Sequence, residues 1–554
     1  MVRTSEKTWW KKIGADGTRP FSLLSAVLVL IFICQFAVLC YFNFSQIQNH
    51  TGYDSSWNYL RTALMWQEKA VTFHNWHDDT TLQLDTHMPL SALLYGLTGN
   101  IWFSFGVGNT LMNVLMLLFL WKVLVRLDVR FSARMIALNL LICPFLTNGF
   151  HVFNDLGYFS SILSGASFYS LRMLLVLMIV YEFLKIVQDG RMGFLPCLIW
   201  AGCILCGISS GVYLIVIILA PFLAYVAEMA AIRNDWRQLI RRESIFACLC
   251  CAAVLAGKLL ARFALRFEAI DSTSTWTSLT DLWKNFGALL PGYLKLLQAL
   301  PVSASEHPIV SLTGILRFGA LAIASLTVFS MAFIFRKTWK NPEEKGGALL
   351  LLVNIVLVNL LILGLHNASY GAEIFEERYL IIVYFAAIIM TALFFNQLNS
   401  RRVLSAMLTA VLAGSVFMVD VHSDLNYLKE TNDDWPMQEI QDLAESEDAG
   451  IVYVWGDDLT VICRTLRVWD LNRIYKSIPD GGGYYRHHWG DYYTYDTNEE
   501  YTGPTMLVCP KGQNLVPEKV LAEYTLLDDS LGYRVLTSVG TLDIYICDHN
   551  PSLW

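Results

Sequence analysis

Charge is what this chain has least of. Only 16% of its 554 residues are Asp, Glu, Lys or Arg, while 55% are hydrophobic and the mean hydropathy is +0.45. Soluble globular proteins carry about 25% charged residues, so that class is excluded and a polytopic membrane protein is implied. Zinc-site spacing is missing as well. The chain has twelve cysteines, but no CxxC pair recurs with a histidine partner. Cys203 and Cys206 lie inside an apolar run and read as packing residues. Cys463, Cys509 and Cys547 fall in the C-terminal part, and an odd number of thiols permits at most one disulfide among them. There is no internal repeat, no glycine-rich phosphate loop and no basic patch that would meet nucleic acid. The first apolar run, residues 21–42, is too long for a signal-peptide core and lacks a small-residue cleavage site, so it reads as a retained anchor.

Long apolar runs are abundant. A membrane span needs about 20 apolar residues, and eleven stretches qualify: 21–42, 107–126, 133–150, 168–187, 194–209, 211–232, 244–262, 311–335, 347–365, 379–397 and 403–419. A twelfth stretch, 88–105, is ambiguous. The positive-inside rule arbitrates. With the N-terminus cytoplasmic and 88–105 not crossing, the inside loops hold 21 Lys and Arg and the outside loops 6. Letting 88–105 cross would reverse the bias in every later loop. The expectation is eleven spans, with 88–105 a juxtamembrane or re-entrant helix on the outer side. The fold class expected is mainly α, with a cytoplasmic N-terminus over residues 1–20 and a transmembrane domain over 21–422. A small extracytoplasmic α/β domain is expected over 423–554. In that last part, residues 450–456, 505–510, 533–539 and 541–547 read as strands from their β-branched and aromatic content. Residues 436–447 and 516–524 read as helices. The stretch DGGGYYRHHWGDYYTYD, 480–496, is a glycine- and aromatic-rich loop suited to sugar stacking, or to packing on its own domain.

This topology gathers the polar loops on the outer face: 43–106, 151–167, 263–310 and 366–378. The inside loops are short and basic. Loop 43–106 is the richest, with Asp54, Glu68, Asp78, Asp79, Asp85, His74, His77 and His87. Asp54, Trp57 and Arg61 share one face if the segment after Asp54 is helical. An aspartate held among aromatics against a bilayer is partly desolvated, which suits a base acting on a hydroxyl; it is also compatible with a plain solvated loop charge. Asp155 lies in the second short outer segment, and two acids converging from separate loops could hold a hard divalent cation. Arg172 stands at the outer end of a span, where an arginine is costly unless paired or functional, and Arg378 stands beside Glu376 and Glu377. Guanidinium forks match phosphate oxygens, so these two are candidate ligands of a lipid phosphate or pyrophosphate.

Four features resemble the GT-C superfamily of membrane glycosyltransferases, nearest in pattern to the protein O-mannosyltransferase and lipid A aminoarabinose transferase families. An acid follows the first span in YDSSWNY. An H-x-P-L segment follows in THMPLSALLYGL. An aromatic residue precedes Arg by three at the start of a span in FYSLRMLL, and Arg-Tyr opens a late span in EERYLIIVYF. The departures are Ser55 where mannosyltransferases carry a second acid, Met88 in place of a first proline, and no proline after Arg378-Tyr379. The resemblance implies a sugar moved from a polyprenyl-phosphate-linked donor to a glycan, lipid or protein acceptor on the outer face of the membrane, in the making of a cell-envelope glycan. The transfer would be inverting. Asp54 would be the catalytic base, with Asp155 as a second catalytic acid. Arg172 and Arg378 would bind the lipid phosphate. Tyr53, Trp57, His87 and Glu377 are the substrate-binding candidates. Some relatives need a divalent metal and others do not, so a metal at Asp54 and Asp155 stays open and no other cofactor is implied. Two other readings compete: an O-antigen ligase or polymerase-like enzyme, which would use a late outer loop with essential arginines, and a non-enzymatic flippase for a lipid-linked sugar.

Overall fold

The structure is a computed structural model. It describes residues 23–47, 53–73, 81–146, 157–265, 275–300, 309–367, 377–398, 402–429, 436–470, 473–478, 480, 501–535 and 538–551. The apolar runs are helices: α1 (Leu23–Tyr41), α4 (Ile101–Arg126), α5 (Phe131–Leu141), α6 (Ser170–Asp189), α7 (Leu195–Ser210), α8 (Ala220–Ile232), α9 (Arg242–Phe263), α11 (Leu312–Lys340), α12 (Ala348–Leu365), α13 (Ile381–Gln397) and α14 (Arg402–Lys429). Between them lie α2 (Tyr53–Glu68) and α3 (Met88–Thr98) in the first loop and α10 (Leu282–Leu296) in a later one. Among the described residues eight helices are long and apolar enough to cross a membrane. Three of the expected spans fall on elements that do not meet that measure. α5 and α7 are short apolar helices, and α6 carries Arg172, Glu182, Lys185 and Asp189 along its length.

Other boundaries shift for local reasons. Residues 88–105 are not one helix. Gly99 adopts a left-handed conformation at φ 69° and caps α3, which suits a residue without Cβ. Asn100 then caps α4 by accepting from the Phe103 amide, so that helix starts at Ile101 rather than at residue 107. α14 runs unbroken through residues 422 and 423, where the change of composition suggested a boundary. α13 is buried along nearly all its length and forms the middle of the bundle, whereas α1 fully buries only Ser25, Leu28, Gln35 and Leu39.

The C-terminal part is a sheet flanked by helices. Its elements are α15 (Met437–Ser446), β3 (Ile451–Trp455), α16 (Thr460–Trp469), β4 (Ile474–Ile478), β5 (Thr505–Pro510), α17 (Glu518–Leu521), β6 (Thr525–Asp528), β7 (Gly532–Val535) and β8 (Ser538–Cys547). The order is β4-β3-β5-β8-β6, with β7 hairpinned onto β8. β4, β3 and β5 are parallel, and β8 runs antiparallel to β5 and β6. Parallel neighbours need a crossover, and α16 supplies it between β3 and β4. β3 is buried throughout. Its alternate residues feed two cores, with Val452 and Val454 on one face and Ile451, Tyr453 and Trp455 on the other, as the two-residue strand period requires. Expectation named neither α16, β4 nor β6, and it divided β8 differently. The stretch 481–500, which holds nearly all of the expected sugar-stacking loop, lies outside the described residues.

α16 also ties this part to the first loop. Val468 belongs to the same apolar cluster as Trp57, Tyr59, Leu60 and Met88, and Trp469 meets Trp102 edge-on with centroids 6.4 Å apart. A short ladder, β1 (Thr275–Trp276) with β2 (His366–Asn367), joins two further loops.

Candidate active site

Asp54 sits in the first turn of α2, so the segment after it is helical and Asp54, Trp57 and Arg61 fall on one face. The side chains of Tyr53 and Asp54 lie outside the described residues, and so does the whole of Asp155. Trp57 is buried, and Arg61 is fully buried. The Arg61 guanidinium stacks on Trp57 at 5.3 Å and faces Phe73 at 5.9 Å, and its Nη2 donates to the Val71 carbonyl at 2.9 Å. α2 therefore buries a cation seven residues from Asp54, packed against tryptophan.

The segment before α3 crosses the start of α6. Asp85 is fully buried. It accepts from Arg172 Nε at 2.5 Å and from Nη2 at 3.0 Å. It also accepts from Ser209 Oγ at 2.6 Å and from Ser210 Oγ. Each carboxylate oxygen thus accepts from the arginine and from one serine. Tyr169 and Tyr213 cover the guanidinium at 4.9 and 5.2 Å. Arg172 lies in the first turn of α6, where the helix dipole disfavours a cation; Asp85 offsets that and the burial together. Arg172 was expected to hold a lipid phosphate. Its fork is engaged by a carboxylate, because burial leaves a cation the choice of pairing or a large desolvation cost. Ser209 and Ser210 are not among the expected site residues, and Asp85 stands in the sequence only as one of several acids of loop 43–106. An arginine inside an apolar helix signals that some acid must reach it, but the residues give no hint of which.

His87 caps α3, two residues on. It is 1% exposed. Its Nδ1 is 2.9 Å from Ser91 Oγ, and Ser91 Oγ donates to the Ser104 carbonyl at 3.1 Å. Ser91 has one proton, so Nδ1–H is the donor and Nε2 carries the lone pair. Nε2 has no hydrogen-bond partner among the described residues. Burial pushes the imidazole down to about 4, against a smaller upward pull from Asn109. Gly108 makes the close approach feasible: a Cβ there would lie 2.6 Å from His87 Nδ1. Asn109 is held in turn by Gly165 and Ser167, at 2.9 and 2.5 Å.

Glu377 and Arg378 open the turn Glu377–Leu380 before α13. Glu377 is 1% exposed, and its Oε2 is 2.9 Å from Lys295 Nζ on α10. Arg378 is half-buried and stacks on Tyr379 at 5.4 Å. Arg172 is covered by Tyr169 and Tyr213 and Arg378 by Tyr379, and His87 lies on the segment that supplies Asp85. No group of metal-ligating side chains occurs there among the described residues.

A helical membrane body with a small mixed sheet at its C-terminal end defines the class of fold. The particular solved structures it is similar to are two of ArnT, the lipid A aminoarabinose transferase, from Cupriavidus metallidurans. The apo structure matches with a TM-score of 0.55 at 10% identity, over 94% of this chain and 97% of that one. The structure bound to undecaprenyl phosphate matches with a TM-score of 0.56 at 11% identity, over 95% and 98%. No family model and no curated protein matches the sequence.

Proposed function

We propose that this chain is a membrane glycosyltransferase that takes a sugar from a polyprenyl-phosphate-linked donor and passes it to an acceptor on the outer face of the membrane. The observation that carries this reading is the end-to-end likeness to a transferase fold crystallised with undecaprenyl phosphate, covering the membrane helices and the C-terminal sheet together. In this reading Asp54 takes the proton of the acceptor hydroxyl. The freed oxygen bonds to the anomeric carbon from the side opposite the phosphate. The bond between that carbon and the phosphate oxygen breaks, and its electron pair leaves with the polyprenyl phosphate. Arg378 meets the departing phosphate, where a fixed positive charge stabilises the transition state more than the ground state. Arg172 enters as a positioning residue. A direct phosphate contact would have to displace a carboxylate that accepts four hydrogen bonds. Asp155 remains a candidate for orienting the acceptor or sharing a divalent ion with Asp54.

The test is transfer by the purified, full-length protein from a panel of polyprenyl-phosphate sugars, with and without divalent metal. Asp54→Asn is expected to lower kcat by about 10²- to 10⁴-fold, the usual share of a general base. A stably inserted Asp54→Asn protein with full activity overturns the assignment of the base. Absence of transfer from every donor overturns the reading as a whole.

A further inference from the structure

The end of β8 carries a cluster of ligating groups far in sequence from the site above. Cys547 Sγ lies 3.3 Å from His549 Nδ1, and the same nitrogen is 2.8 Å from Asp548 Oδ1. On the other edge of the ring, Nε2 is 3.3 Å from Glu523 Oε2. The sheet builds this arrangement. β6 pairs with β8 antiparallel, Thr525 opposite Ile546, which carries residue 523 alongside residue 548. The Thr505 hydroxyl donates to the His549 carbonyl at 3.0 Å, and Tyr453 Oη donates to Asn550 at 2.8 Å. Tyr524, next to Glu523, is buried and its hydroxyl is 3.0 Å from that of Thr505. Both sides of the cluster are thus fixed to the same strand, β5.

We propose that Cys547, Asp548 and His549 form a binding site for a divalent transition metal of the zinc class, with Glu523 orienting the histidine. The distances fit a tetrahedral ion. Zn–S near 2.3 Å and Zn–N near 2.0 Å place sulfur and nitrogen roughly 3.5 Å apart, against 3.3 Å here. The three ligand atoms lie within 4.8 Å of one another. The ion takes the place of the proton that Nδ1 shares with Asp548. Asp548 is almost fully exposed and free to open that contact by about half an ångström to metal-ligand spacing. Glu523 on Nε2 completes the carboxylate–histidine–metal relay that fixes ring orientation in metal sites. A thiolate with an imidazole selects zinc-class ions over magnesium and calcium. Three protein ligands leave one position for water or for a group from a partner. The cysteine is a free thiol, and its pairing with His549 at a two-residue spacing is too short to match a zinc-finger pattern.

The experiment is a cobalt titration of the full-length protein in detergent after removal of bound metal with a chelator. A thiolate-to-cobalt absorption band saturating near one equivalent is expected. Cys547→Ser should abolish it. His549→Ala should weaken binding at least tenfold, and Glu523→Gln about 10- to 100-fold with the band unchanged in position. Both of these side chains are exposed, so their variants test the site even if Cys547→Ser fails to fold. No band at millimolar cobalt, a band that survives Cys547→Ser, or one indifferent to His549→Ala overturns the proposal.

Discussion

Asp85 and Glu377 are both buried carboxylates in the helical part, and each faces a cation. Asp85 accepts four hydrogen bonds, two from Arg172 and one each from Ser209 and Ser210. Glu377 has Lys295 on Oε2, while its Oε1 has no hydrogen-bond partner among the described residues. The cations differ as well. The Arg172 side chain is 8% exposed and that of Lys295 37%. A saturated pair is committed to holding three chain segments together, here the approach to α3, the start of α6 and the end of α7. An acid with an unused buried oxygen keeps acceptor capacity for a ligand hydroxyl, which suits the substrate-binding role expected of Glu377.

The largest effect should come from breaking the saturated pair. Arg172→Leu leaves an uncompensated buried carboxylate, and losses of about 3–5 kcal/mol are expected. The readout is thermal unfolding in detergent and the yield of folded protein. The double variant Asp85→Leu with Arg172→Leu should recover much of that loss, because replacing both charges with apolar groups is often close to neutral. A single variant as stable as the parent would break the comparison.

His87 gives the next effect. Its folded-state imidazole titrates at about 4, below the unfolded value near 6.5. Between these values the unfolded chain binds more protons, so stability should fall as pH drops from about 6.5 through about 4, by up to about 3 kcal/mol. At neutral pH the group contributes no slope. Denaturation midpoints across that window check it, and His87→Gln should flatten the profile there.

Glu377→Gln should cost least in stability, under about 1 kcal/mol, because its partner is partly solvated and screened. Its effect should instead be seen in transfer, as a raised KM of order tenfold, about 1.4 kcal/mol, with a smaller change in kcat. A large stability loss without any change in KM would show that Glu377, like Asp85, serves packing rather than substrate.

Much of this fold could be read along the chain. Each of the eleven apolar runs holds a helix, since a run of about 20 apolar residues has few other stable states near lipid. The spacing of Asp54, Trp57 and Arg61 puts them on one face of a helix, and a helix forms there. The strands at 451–455 and 505–510 stand where β-branched residues concentrate. What could not be read were the partners. α16, TVICRTLRVW, sets β-branched content against apolar residues at helical spacing, Ile462, Leu466 and Trp469, and as a helix it supplies the crossover that parallel β3 and β4 need. The same limit applies to the metal cluster, where Glu523 reaches His549 through β6–β8 pairing and not through sequence spacing.

The sequence by itself determined where helices run, where the polar loops lie, and which residue types are scarce enough in an apolar chain to need an explanation. It singled out Asp54, Arg172 and Arg378 on that ground, and the H-x-P-L resemblance added His87. Only the tertiary structure decided that Arg172 belongs to Asp85, 87 residues away, and that Glu377 keeps one oxygen without a hydrogen bond among the described residues. The reason is that hydropathy and periodicity are local signals. A buried charge takes its partner from the chain segments that packing brings together, and several acids in one loop carry the same local signal until the fold chooses among them.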